Sequence, residues 1–272
     1  MRKQLGALLL AATLLQGSMC PYNVVDAKAV KATADKETLY QVATLQSLMQ
    51  GDYYGSITVK DLKKYGNTGL GTFDGLNGEM IVVDGNVYQA LADGTVKKAS
   101  DKTKVPFSNV TSFESDFSVA LKDVTSMEEL KNQLTKAINK KNKNDFYMVK
   151  IAGQFKKVQV RSVYKQKEPY KDLNTVMTTD QTFYDYKDIQ GTIVALYCPN
   201  YMDGLNAPGW HLHFISKDKK KGGHMLDVAL DHATAKVDTT TSFNMALPQD
   251  KHFKDLDLKK DMSEEIEKVE GK

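Results

Sequence analysis

Apolar residues recur at helical spacing from Leu39 to Met49, where Leu39, Val42, Leu45, Leu48 and Met49 fall on one face and Gly51 ends the run. Thr58, with Asp61 three residues on, forms a capping box for a second short helix with Leu62 facing inward. Gly66, Gly69 and Gly71 read as a loop. Glu79 to Val83 and Val87 to Ala92 flank Asp84-Gly85, which predicts a β-hairpin, and Asp93-Gly94 marks the next turn. Ser126 and Glu129 cap a helix carrying Met127, Leu130, Leu134, Ala137 and Ile138. Its end is the basic run Lys140 to Lys143, where cations suit the helix dipole.

Downstream the pattern turns to strands. Phe146 to Ile151 and Lys157 to Tyr164 read as two strands joined through Gly153. Residues 165–180 are polar, carry Pro169 and suit a link between two halves. Ile189 to Tyr197, Gly209 to Ser216 and His224 to Leu230 are further strands, the last two joined by Lys217 to Gly223. From Leu256 the chain is highly charged, with Met262, Ile266 and Val269 at i, i+4, i+7, the spacing of a helix. These elements predict an α+β fold of two domains built on mixed or antiparallel β-sheets, with a few short helices and an extended C-terminal tail. The expected parts are an N-terminal α/β domain over 39–168, a β-rich C-terminal domain over 169–255 and a tail over 256–272.

The first 27 residues stand apart. Arg2 and Lys3 precede an apolar run from Leu5 to Leu15, and Val25 and Ala27 are small residues where a signal peptidase reads. This is a secretory signal over 1–27, followed by a loose lead-in over 28–38, and it predicts an exported protein. The apolar run is too short for a membrane helix, which needs ~20 residues. A lipoprotein site at Cys20 ranks second, because Met19 fits it poorly; a buried N-terminal helix is the structural alternative. No second apolar run approaches membrane-spanning length, so no membrane contact is expected once the signal is cleaved.

The chain has 272 residues, enough for a real core, with 41% hydrophobic and 26% charged residues as in ordinary globular proteins. A net charge of +3 gives no support to nucleic-acid binding. Two cysteines, Cys20 and Cys198, exclude a disulfide scaffold and any site built on four cysteines. Cys20 would leave with the signal, and Cys198 is expected to be a small buried residue on a strand. Histidines and carboxylates remain as metal ligands.

Five histidines are present, and three of them converge. In Trp210-His211-Leu212-His213-Phe214, a strand puts His211 and His213 on one face. A polar, glycine-ended loop then returns the chain and brings His224 near His213. Three imidazoles on one sheet face form a ligand set for zinc or a similar divalent ion. Three partly buried sheet histidines with local hydrogen bonds are the alternative. His232 and His252 have no partner at ligand spacing and read as surface residues. Trp210 reads as core.

Several separated motifs resemble the α-acetolactate decarboxylases. They are Gly51-Asp52-Tyr53-Tyr54-Gly55, Gly69-Leu70-Gly71-Thr72-Phe73 with Leu76-Asn77-Gly78-Glu79, Val82-Val83-Asp84-Gly85, Pro106-Phe107, Val158-Gln159-Val160-Arg161, and Gly209 to Ser216 through Gly222-Gly223-His224. The resemblance implies conversion of 2-acetolactate to (R)-acetoin and CO₂ by a zinc enzyme, in which other divalent transition metals are an option, and it suggests a homodimer. It implies His211, His213 and His224 as zinc ligands, Arg161 as the cation of the pocket, and Thr72 lining the site beside Glu79. Glu79 and a tail glutamate would be the carboxylates at the metal. Glu264, Glu265, Glu267 and Glu270 all lie in the tail; Val269-Glu270-Gly271 looks most like the family's ending, so Glu270 is chosen. Pattern alone would leave Glu79 a solvated strand end and Arg161 as readily outward-facing as buried.

The implied chemistry suits these residues. Loss of CO₂ leaves an electron pair that the neighbouring ketone accepts as an enediolate. A divalent ion stabilises that charge as a Lewis acid, Arg161 offers parallel donors, and a glutamate returns a proton to one face. Two other readings stay open. A zinc hydrolase of the metallo-β-lactamase type would want an aspartate where Ile215 stands, and a cupin-like oxygenase would want a carboxylate ligand where only Asp218 of the polar loop is at hand. A non-enzymatic exported zinc-binding module would carry a histidine-rich loop, and the loop here is lysine-rich.

Overall fold

The computed structural model describes residues 36–270, apart from the side chain of Glu270. The signal segment over 1–27 lies outside the described residues, as does most of the lead-in. In chain order the elements are β1 (Thr38–Val42), α1 (Leu45–Met49), β2 (Ile57–Thr58), α2 (Val59–Leu62), β3 (Thr68–Thr72), β4 (Glu79–Val83) and β5 (Asn86–Ala90). Then come β6 (Val96–Lys98), β7 (Lys104–Val105), β8 (Ser108–Thr111), β9 (Phe117–Val124), α3 (Met127–Ile138) and β10 (Phe146–Val163). The last are α4 (Leu173–Thr179), β11 (Gln181–Cys198), β12 (Gly209–Ser216), β13 (Gly222–Thr240), β14 (Ser242–Ala246), α5 (Lys251–Asp255) and α6 (Ser263–Glu270). The fold is α+β, as expected.

Seven strands form one mixed sheet in the order β14-β1-β8-β3-β4-β5-β6, with β1 and β14 parallel. The second sheet runs β10-β11-β12-β13-β9, and β10 also pairs with β13. Four antiparallel strands therefore close into a ring. Its interior holds Tyr147, Phe155, Ile193, Phe214 and Val228, with Leu130 and Leu134 of α3 packed on the same cluster. Leu39, Ile81, Met148, Val194 and Ile215, drawn from both sheets, form the core between them.

Local signals explain much of this. Thr58 Oγ1 accepts from Asp61 N–H at 3.2 Å, and Ser126 Oγ accepts from Glu129 N–H at 3.2 Å, so both expected caps are made. Asp84 and Gly85 have φ of 49° and 74°, the left-handed pair of a tight hairpin turn, between β4 and β5. Met262, Ile266 and Val269 are buried along α6, as their spacing predicts.

Four expectations are corrected. The helix expected over Leu39–Met49 is a strand followed by a short helix. β1 is a central strand buried on both faces, so its apolar residues need not alternate, and Leu39 and Val42 fall at helical spacing by coincidence. The glycine loop is the strand β3. A Cβ on Gly69 would lie 2.0 Å from Asn109 O, so the glycine serves the close approach of β8 rather than a turn. The two strands expected around Gly153 are one 18-residue strand. Finally, the sheets do not divide the chain at residue 168. β10 belongs to the ring and β9 pairs with its β13, β14 returns to the first sheet, and the described residues fall in one compact unit. Strand pairing sorts the segments, and chain order does not.

Candidate active site

The site starts from a hairpin. His211 and His213 alternate with buried Leu212 and Phe214 on β12, so both imidazoles leave the ring interior on the same face. The loop to β13 sets His224 directly opposite His213. Gly223 makes this possible: its φ is +152°, and a Cβ there would stand 2.5 Å from Arg161 O. Nε2 of His211 lies 3.1 Å from Nε2 of His213 and 3.2 Å from Nδ1 of His224. All three rings are buried. The spacing read from the sequence is therefore realised.

The donor chemistry fits a metal. His213 Nδ1 sits 2.7 Å from Met80 O, a carbonyl that can only accept, so this nitrogen carries the proton and Nε2 keeps its lone pair. Burial, and next the Arg161 guanidinium, hold His224 well below the usual histidine range, which keeps it neutral. One candidate ligand atom from each residue lies within 4.8 Å of the others. A proton on His211 Nε2 could serve only one of its two neighbours, whereas one cation satisfies all three nitrogens. Three imidazoles so placed are a set for zinc or a related divalent ion.

Arg161 joins the same row by way of a bulge. β10 and β13 pair Gln159 with Asp227 but Val160 with Met225, so one extra residue on β13 shifts the register and sets Arg161 opposite His224. Arg161 is 5% exposed. Its Nη2 donates to Val269 O at the end of α6, while its buried Nε has no hydrogen-bond partner among the described residues. A buried, unsatisfied guanidinium donor calls for an acceptor, and an anionic ligand would supply it.

Glu79 opens β4 opposite Thr72 of β3. It is 7% exposed, with Oε2 3.5 Å from His213 Nε2. Thr72 Oγ1 donates to Gly78 O at 2.8 Å and so braces the turn that delivers Glu79. The two residues whose pattern allowed an outward reading are thus buried at the cluster. Glu270 follows Val269 at the end of α6; its side chain lies outside the described residues. Glu264 and Glu267 are exposed and Glu265 is half-buried.

Several of these side chains line one small cavity beside the histidine hairpin. Its polar lining is Thr72, Glu79, Arg161, His211 and His224. Its apolar lining includes Leu45 and Leu48 of α1, Leu173 and Met177 of α4, Leu76, Phe107 and Val269. Sequence reasoning missed this apolar wall, since α4 lies in what reads as a polar link. It also missed that half-buried His252 stands 3.6 Å from the buried carboxylate of Asp52. That pair is distant in sequence and carries no spacing signal. His232 is exposed, as expected. Trp210 and Cys198 are buried, with Trp210 Nε1 donating to Thr135 Oγ1 at 2.9 Å.

The profile of alpha-acetolactate decarboxylase matches residues 39–260. The chain belongs to the alpha-acetolactate decarboxylase family. The alpha-acetolactate decarboxylase of Methanosarcina mazei is 40% identical over 234 residues, covering 86% of this chain and 80% of that relative. The Brevibacillus brevis protein of the same name is 39% identical over 240 residues, covering 88% of this chain and 82% of its own. The crystal structure of alpha-acetolactate decarboxylase from Bacillus subtilis superposes with a TM-score of 0.83 at 33% identity, spanning 86% of this chain and all of that one. Membership in this family of carboxy-lyases sets aside the hydrolase and the non-enzymatic module. It also means that the matched region includes the histidine hairpin, Arg161, Glu79 and Thr72.

Proposed function

We propose that the protein decarboxylates 2-acetolactate, 2-hydroxy-2-methyl-3-oxobutanoate, to (R)-acetoin and CO₂, with a divalent ion, zinc by preference, held by His211, His213 and His224. The observation that carries this reading is the cluster of three imidazoles, two of which share one cavity with a buried Arg161 whose Nε is unsatisfied among the described residues. When bound, the ion supplies Lewis acidity that disperses the negative charge developing on the substrate's hydroxyl and ketone oxygens.

The chain's own residues account for the remaining work. Arg161 presents its free Nε–H, beside an Nη donor, to the substrate carboxylate and orients it for departure. The leaving bond's electrons pass to the carbon that bore the carboxylate and are delocalised onto the adjacent ketone as an enediolate. Glu79 is close enough to the cluster to return a proton to one face of that carbon, which would fix the chirality of acetoin. Glu270, next to the carbonyl that Arg161 engages, is the alternative proton donor from the tail. Thr72 steadies the turn behind Glu79. The three imidazoles add no charge, so the ion's full charge is left for the anionic substrate.

The same reading holds that the protein is exported after cleavage near Ala27 and works as a homodimer without nucleic-acid or membrane partners. The test is to incubate the purified protein with racemic acetolactate and to follow CO₂ and the acetoin enantiomers, with and without a chelator. Acetoin that is enriched in the R form, and lost on chelation, is expected. No acetoin from metal-replete protein would overturn the reading.

A further inference from the structure

The cavity lining combines groups able to hold an ion or a carboxylate with apolar side chains from α1, α4 and α6. A 2-hydroxy-3-oxo acid whose oxygens engage those polar groups is left to meet the apolar ones with its alkyl groups. Four of the wall residues, Leu45, Leu48, Leu173 and Val269, are buried and packed in one cluster. Met177 differs. It is only partly buried against that cluster, yet it lines the same cavity.

Its placement follows from the helix. Asp172 caps α4 by accepting from Thr175 N–H at 2.9 Å, and Leu173 and Met177 stand four residues apart on one face. Leu173 is buried at the root of that face and Met177 sits one turn further out. An unbranched thioether with three rotatable bonds can yield to, or crowd, a ligand group more easily than the branched leucines beneath it. The buried leucines cannot move without repacking the cluster they share.

We infer that Met177 sets the upper size of the alkyl substituent on the substrate's quaternary carbon. It would favour the methyl compound while admitting, less well, the homologue with ethyl at that carbon. Met177 touches no reacting atom and acts as a specificity wall. The assignment rests on the decarboxylation proposed above, and the experiment separates the two.

The experiment compares kcat/KM for the methyl and ethyl 2-hydroxy-3-oxo acids in metal-loaded wild type, Met177→Ala, Met177→Leu and Met177→Phe. Metal content and the thermal midpoint are measured on each. Met177→Ala should raise the ethyl-to-methyl ratio by about tenfold or more, and Met177→Phe should lower it by a similar factor, since one methylene in an apolar pocket is worth roughly 10–200-fold. Met177→Leu, of similar volume, should leave the ratio within about twofold, as volume-conserving apolar swaps are well tolerated. Because Met177 is partly exposed, all three variants should bind metal and fold as wild type does. Wild-type turnover with ratios that do not move in the Ala and Phe variants would overturn the inference alone. No wild-type turnover of either acid would overturn the proposed reaction, and this inference with it.

Discussion

Arg161 and His224 stand directly opposite each other on β10 and β13, so a guanidinium and an imidazole share one lateral row of the sheet. His213 continues that row on β12. Cation and candidate ligands are thereby aligned by backbone register across three strands. Arg161→Ala should keep the metal and lose about 10²–10³ in turnover, the usual effect of deleting one preorganised donor. Arg161→Lys should recover only part, because an ammonium lacks the planar fork. Steady-state kinetics beside metal analysis checks both; normal turnover in the alanine variant would discard the role.

His211→Ala should lose metal and activity together, because Nε2 of His211 is the atom within reach of both other rings. Metal affinity should fall by more than the 10–100-fold typical of changes outside the ligand shell. A titration with zinc against a competing chelator measures it. Retained metal with full activity would remove His211 from the ligand set.

Glu79→Gln should leave the fold intact and slow turnover by about 10²–10⁴, the range for losing a general acid or base. Enantiomeric analysis of the acetoin formed gives a second readout. A drop in rate with a loss of R excess identifies the proton donor; unchanged rate and stereochemistry would pass that role to the tail.

The tail has its own test. Val269 lines the cavity, and Met262, Ile266 and Val269 are buried beneath α6. Burying side chains of this kind is worth about 1.5–3 kcal/mol each. Ile266→Asp should therefore release α6, speed proteolysis near residues 256–262 and cut turnover at least tenfold, with the metal retained. Wild-type protease resistance in this variant would contradict it.

Asp238 provides a pH prediction away from the site. It is 2% exposed, its Oδ2 has no hydrogen-bond partner among the described residues, and burial, then Asp116, push its carboxyl up to about 7. The folded protein thus favours the protonated form more than the unfolded chain does. Stability from this group is fully present below the ordinary carboxylate range and is lost as pH rises toward about 7. Asp238→Asn should raise the melting midpoint at pH 8 by at least roughly 2–4 °C, the effect of about 1 kcal/mol in a chain of this size, with no gain at pH 4. A gain that is equal at both pH values would refute the titration.

Much of the site was legible because its geometry is local. The His-x-His pair and the glycine-ended loop give the hairpin by period and turn chemistry alone, and His224 lands opposite His213 as that arithmetic requires. Arg161 and Glu79 were not legible from pattern. The bulge on β13 that turns Arg161 toward His224 adds one residue that no alternation reveals, and Glu79 is buried by the opposing sheet. Two misreadings in the fold share one cause. β1 is buried on both faces and β3 is a strand of glycines, so neither shows the alternation that a half-buried strand does. Sheet membership was hidden as well, since the ring and the seven-stranded sheet exchange segments across the chain.

Thr38 pairs with Ser242, so the first described strand lies beside the last. A chain emerging from its N-terminus must hold β1 without that neighbour until nearly all of it has appeared, and α6 reaches the cavity later still. Synthesis and assembly are thereby ordered. The histidine hairpin precedes both β14 and α6 in the chain, so the candidate metal ligands are drawn from segments made before the strand that flanks β1 and before the Val269 wall of the cavity.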